Sequence, residues 1–223
     1  MMNLSAGLLP PFLYALAFGG FIGTLGWAIY KAPWSAYRKD PGKLHVLLGS
    51  CVLLLLLWQL EAGLKPGMSY HLLGATLFVL MFGWELAFIG LSLVLLGSTL
   101  DGMGDLQSLA LNGLVMVAVP VLVSASIHRF TFRFLPHHFF VYVMGNAFFG
   151  GAVAMVATLA AGTVLLACCG PYTFTKVAHE YLPFAPLMIF AEAFFTGMIT
   201  ASLVLFRPDW ISTFDDRRYL SGK

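Results

Sequence analysis

The sequence predicts an all-α integral membrane protein of about seven transmembrane helices, and three observations predict it. Hydrophobic residues make up 60% of the 223-residue chain and charged residues 10%, against about 45–50% and about 25% in soluble domains. The apolar residues gather in runs long enough to cross a hydrocarbon core of about 30 Å, which takes about 20 helical residues. Lysine and arginine then fall on one side of the membrane when those runs are threaded through it. The same composition excludes a soluble enzyme domain, and a net charge of +2 gives no nucleic-acid footprint. Cys51, Cys168 and Cys169 lack a CxxC spacing, which excludes a disulfide framework or a zinc ribbon.

Taken in order, the runs are Leu8–Tyr30, Leu44–Leu60, Tyr70–Leu100, Gln107–Ile127, Phe139–Cys169 and Phe184–Phe206. Tyr70–Leu100 is long for one helix and short for two, and its middle reads Met81-Phe82-Gly83-Trp84-Glu85. Basic-residue placement decides between the two, because short loops rich in Lys and Arg stay cytoplasmic. With a break near Gly83 and the N-terminus outside, Lys31, Arg38, Lys39, Lys43, Arg129, Arg133, Arg207, Arg217, Arg218 and Lys223 lie inside, and only Lys65 and Lys176 lie outside. Without the break, every later loop changes side and the asymmetry vanishes. The expectation is therefore two short helices, 70–82 and 84–100, meeting on the cytoplasmic side. They would rise about 20 and 25 Å, which suits segments that lie inside protein or line a polar cavity. Residues 1–206 are expected to form a single transmembrane domain, and 207–223 a short, solvated cytoplasmic tail. The N-terminal stretch has no basic residue and so lacks the n-region of a signal peptide. Gly19-x-x-x-Gly23 and Ala147-x-x-x-Gly151 are small-residue pairs suited to close helix packing.

His71 is the residue most suggestive of chemistry. It follows the turn-forming Lys65-Pro66-Gly67-Met68-Ser69-Tyr70 stretch and is expected to open the first short helix on the outer side, facing the N-terminus and Asn3. Neutral imidazole is a common ligand for nickel, cobalt, copper and zinc. Glu192, within an apolar run, is either a functional-site residue or a hydrogen-bond acceptor for another helix. Glu85 is placed to cap the second short helix, and Glu61 lies at a helix end in reach of water. His137 and His138 belong to a basic inner loop, His45 and His128 to the inner boundary, and His179 to an outer loop. No HExxH, GxSxG or phosphate-binding glycine loop is present, so the chain reads as a transporter component rather than an enzyme.

Two stretches resemble the substrate-capturing membrane subunits of cobalt and nickel energy-coupling-factor transporters, the CbiM/NikM group. Met2-Asn3-Leu4-Ser5-Ala6-Gly7-Leu8-Leu9-Pro10-Pro11 resembles the family's opening, and Pro66-Gly67-Met68-Ser69-Tyr70-His71-Leu72-Leu73-Gly74 resembles its Gly-Thr-Ser-x-His-Leu-Leu-Gly segment. Asp101-Gly102 and Ala110-Leu111-Asn112 continue the likeness. The resemblance implies an ion held by the free amine, the backbone nitrogen and imidazole of the second-residue histidine, and the imidazole of the later segment. Carried over, the last ligand is His71, and asparagine, Asn3, stands where the family has histidine. The implied metal ligands are thus drawn from Met1, Met2, Asn3 and His71.

The expected protein is a multi-pass permease subunit of the bacterial inner membrane that captures nickel or cobalt as cargo and holds no permanent cofactor. Its expected partners are a transmembrane scaffold subunit and cytoplasmic ATPase subunits, with no nucleic acid. Copper is an alternative ion, because Met1, Met2, Met68 and Met103 fall on the outer side and thioethers favour cuprous copper. The rival of another class is a non-transporting membrane factor that assembles a metalloprotein, docking through His137 and His138.

Overall fold

Proline sets where the first two long helices begin. Pro11 starts α1 (Pro11–Lys31) and Pro41 starts α3 (Pro41–Trp58), where the Asp40 side chain also accepts from the Gly42 N–H. Proline fits the first helical turn because its missing N–H would have no partner there anyway. The structure is a computed structural model that describes residue 4, residues 7–65 and 68–215, and residue 219. A short helix, α2 (Trp34–Lys39), joins α1 to α3. After α3 come a two-stranded antiparallel hairpin, β1 (Ala62–Lys65) and β2 (Met68–Tyr70), and then α4 (Ala75–Ser98). The remaining helices are α5 (Leu109–Phe134), α6 (Phe139–Cys169), α7 (Phe174–Glu180) and α8 (Ala185–Phe206). Six helical segments are long and apolar enough to cross a membrane. Their lipid-facing sides stay apolar, with Leu16, Leu53, Leu187 and Phe206 among the exposed side chains.

α4 occupies the centre and is broken at Gly83, where φ is 82° and ψ is 165°. That conformation is open to glycine and almost closed to other residues. In a straight helix residues 78 and 90 would stand about 18 Å apart. A Cβ placed on Gly90 would instead lie 3.2 Å from the Phe78 ring, so the chain doubles back at Gly83. The first half is buried throughout, and the second half is mostly buried, with Leu93 and Leu96 exposed. Trp27 of α1 packs on Trp84, and Phe21 on Phe88, at ring separations of 4.6 and 5.7 Å. α1 therefore runs antiparallel to the second half.

Three expectations need correction. The first half of the broken helix begins at Ala75, not Tyr70: residues 71–74 are non-helical and Gly74 is left-handed, with φ 66°. His71 thus lies in a loop that leads into a helix. A β-hairpin occupies the stretch read as a simple turn, its connecting Pro66-Gly67 falling outside the described residues. The segment after Arg207 is not simply solvated, since Ile211, Phe214 and Tyr219 are buried, Phe214 and Tyr219 against Tyr142. Of the two small-residue pairs, Gly151 meets Thr196 and the Glu192 carbonyl of α8, whereas neither Gly19 nor Gly23 would bring a Cβ within 4 Å of a neighbour.

Candidate metal centre

His71 is held in place by residues from three directions. Its ring packs on Trp58, the last residue of α3, at 4.6 Å between centroids, and the Trp58 indole N–H donates to the Leu73 carbonyl at 3.3 Å. Tyr70, just before it, stacks on Tyr181 at 4.2 Å and donates its hydroxyl to the Tyr181 carbonyl at 2.6 Å. From α8, Glu192 accepts the Leu73 N–H at 2.7 Å with one carboxylate oxygen and the Gly74 N–H at 3.0 Å with the other. These two N–H groups lie at the start of the first half of α4, where a carboxylate satisfies unpaired donors and complements the helix dipole. The sequence left open a functional role for Glu192 or a hydrogen bond to another helix; its carboxylate in fact accepts from the loop residues Leu73 and Gly74 that lead into α4.

The His71 ring is ready to act as a ligand. Its Nδ1 lies 2.9 Å from the Leu72 carbonyl, and since a carbonyl only accepts, Nδ1 carries the proton. Nε2 is left with the free lone pair, the arrangement by which a second partner fixes the tautomer of a metal-binding histidine. His71 is only 4% exposed, and burial pushes its pKa down from 6.5 to about 3. Neutral imidazole is the form that binds metal.

A crevice of about 10 Å³ opens beside the ring, lined by Trp58, Glu61, His71, Ser98, Met103 and Met116. That is about the room taken by one water molecule, a scale that suits one small ion. Met116 comes from a π-helical stretch, Gly113–Ala118, inside α5, a distortion that often marks functional positions. Met103 arrives there because the second half of α4 returns from Gly83 toward His71.

Met1, Met2 and Asn3 lie outside the described residues. Leu4, which follows them, is fully buried and is clasped by one side chain. Its N–H donates to Asn112 Oδ1 at 2.9 Å, and its carbonyl accepts from Asn112 Nδ2 at 3.1 Å. Asn112 stands one helical turn before Met116, so the segment next to the amino end is fixed to the helix that lines the His71 crevice. Among the described residues no group of three His, Cys, Asp or Glu could hold a metal.

The other histidines and carboxylates lie elsewhere. His179 is in α7, away from the crevice. His138 accepts the Phe140 N–H as the N-cap of α6, and His137 packs edge-on to Tyr219. Glu85 lines a cavity of about 620 Å³ at the Gly83 end, with Asp40, Lys43 and Arg207. Reasoning from sequence missed Glu61, Asn112 and Met116 as residues of the site. Nothing in the spacing of Glu61 marks it. Asn112 did fall in a stretch that carried the family likeness.

A family model described as the cobalt uptake substrate-specific transmembrane region, CbiM, matches residues 3–210. The chain belongs to the CbiM family. It is a multi-pass membrane protein and a transmembrane component of transition-metal uptake. The crystal structure of a truncated transition metal transporter resembles it with a TM-score of 0.78 and 20% identity, over 92% of this chain and 99% of that one. A second, titled as a transition metal transporter, aligns with a TM-score of 0.74 and 20% identity over 92% and 93%. At that identity the likeness shows the fold. No curated protein matches the chain.

Proposed function

We propose that this CbiM-family chain is the ion-capturing permease subunit of an energy-coupling-factor transporter, with nickel or cobalt as its cargo. It spans the bacterial inner membrane seven times, with the N-terminus outside and the C-terminus cytoplasmic. The reversal at Gly83 supports the seventh crossing. The gathering of Lys43 and Arg207 around the Gly83 end supports a cytoplasmic location for that end. Residues 1–206 form the permease domain and 207–223 the cytoplasmic tail.

The observation that carries this reading is the Leu4–Asn112 clasp beside the crevice of His71. It favours an amino end and an imidazole that share one site, with the amine of the first residues, Met1 or Met2, the backbone nitrogen of Asn3 and His71 Nε2 as nitrogen ligands. The chain hydrolyses no ATP; a scaffold subunit and ATPase subunits supply the energy. Intact-mass determination of the N-terminus, elemental analysis and X-ray absorption on one cobalt-loaded preparation test the proposal. Nitrogen scattering near 2 Å with one imidazole per metal supports it, and a metal shell with no imidazole overturns it.

Met103 and Met116 favour a second reading. Both line the His71 crevice, and thioether sulfur suits cuprous copper. Sulfur in the first shell of a metal-loaded sample would select copper over nickel and cobalt.

A further inference from the structure

The first half of α4, Ala75–Phe82, carries His71 beyond one end and stops at Gly83 at the other, and each end is held by a distant part of the chain. At the His71 end the holder is Glu192, through Leu73 and Gly74. At the Gly83 end, the break removes the turn that would have supplied N–H donors to the last carbonyls. Donors come instead from the segment after α8. The Ser212 N–H donates to the Met81 carbonyl at 2.9 Å, and the Thr213 N–H to the Leu80 carbonyl at 3.3 Å. The Thr213 hydroxyl also donates to Leu80, at 2.8 Å, which leaves it to accept from the Tyr142 hydroxyl at 2.6 Å. Ile211 and Phe214 are buried on either side, and Tyr219 stacks on Phe214. An eight-residue helix rises only about 12 Å, so this piece is a short strut between its two ends.

We propose that Glu192, Ser212 and Thr213 are positioning residues for His71, and that the seating of the C-terminal segment on Leu80 and Met81 sets ion affinity at the opposite end of the strut. This rests on His71 as an ion ligand. Trp210 and Ser212 line the cavity beside Met81 and Gly83, so the seat can be reached from solvent at that face. Coupling of this kind is reciprocal: whatever factor the seated segment adds to ion affinity, bound ion adds to the seating.

The test uses the full chain in detergent and cobalt(II) alone as the probe. Cobalt titration is made on wild type, Thr213→Val, Ser212→Pro, His71→Ala and Thr158→Val. Hydrogen exchange of the Ser212 and Thr213 amides is followed with and without cobalt. Thr213→Val and Ser212→Pro should each weaken cobalt binding about 5-fold or more. Thr158→Val, whose buried hydroxyl bonds only within α6, should bind as wild type. In wild type the two amides should gain protection with cobalt, and His71→Ala should abolish that gain. Wild-type affinity in both segment variants, with no binding in His71→Ala, overturns the coupling and leaves the site standing. Full binding by His71→Ala overturns both. If the variants fail to fold, wild-type exchange still decides, since no gain in protection at the two amides overturns the coupling.

Discussion

Asn112 grips Leu4 by both edges of its side-chain amide, accepting from the backbone N–H and donating to the carbonyl. The two residues stand 108 positions apart, and no other residue type of this size offers one donor and one acceptor in that geometry. Asn112→Asp keeps the acceptor and loses the donor, and Asn112→Ala leaves two buried backbone groups unpaired, at about 1–3 kcal/mol. Either change should weaken cobalt binding about tenfold, the equivalent of ~1.4 kcal/mol. Both should also raise the reactivity of the N-terminal amine toward an acylating reagent. Calorimetry and intact-mass labelling check the two effects.

His71→Ala should abolish cobalt binding while leaving the helical content intact, because the imidazole is the one nitrogen ligand that the described residues place in the crevice with its Nε2 lone pair available. His179→Ala should bind as wild type. Equilibrium dialysis on both variants checks the pair, and equal loss in each would misplace the site.

Acid should destabilise the metal-free protein through His71. In the unfolded chain the imidazole takes a proton below about pH 6.5, whereas in the folded protein burial delays it to about 3. Over that window the unfolded state binds more protons, so stability falls as pH falls from about 6.5 toward 3. Melting temperature followed across pH 7 to 4 should decline for wild type and decline less for His71→Gln. Ion binding should also weaken with acid from about pH 8 downward, because the amine, whose usual pKa is about 8, must lose its proton to act as a ligand.

Gly83→Ala should cost about 1–3 kcal/mol, since φ 82° with ψ 165° is closed to alanine. Thermal unfolding in detergent reads the loss directly. A helix that straightened instead would separate residues 78 and 90, which spin labels at those positions would report.

Gly113→Ala should destabilise the contact between α1 and α5, because the added methyl would overlap the Phe21 ring. Overpacking of this kind costs about 1–3 kcal/mol. Phe21→Leu in the same chain should recover part of the loss, and melting temperatures of the two single variants and the double variant check it.

The sequence by itself determined the membrane class, the position of the long helices to within about seven residues and the break at Gly83, and it singled out His71 as the candidate ligand. Each is legible from local chemistry: apolar length, helix-starting proline, the distribution of charge and a lone imidazole beside a turn. Tertiary structure decided the rest. Glu192 on the loop of His71, Asn112 on Leu4, Glu61 and Met116 at the crevice, and Ser212 and Thr213 on the broken end of α4 join segments far apart in the chain. No periodicity records such pairings, because a backbone N–H or carbonyl looks the same in every residue until folding leaves it without a helical partner and a distant side chain or backbone group arrives to satisfy it.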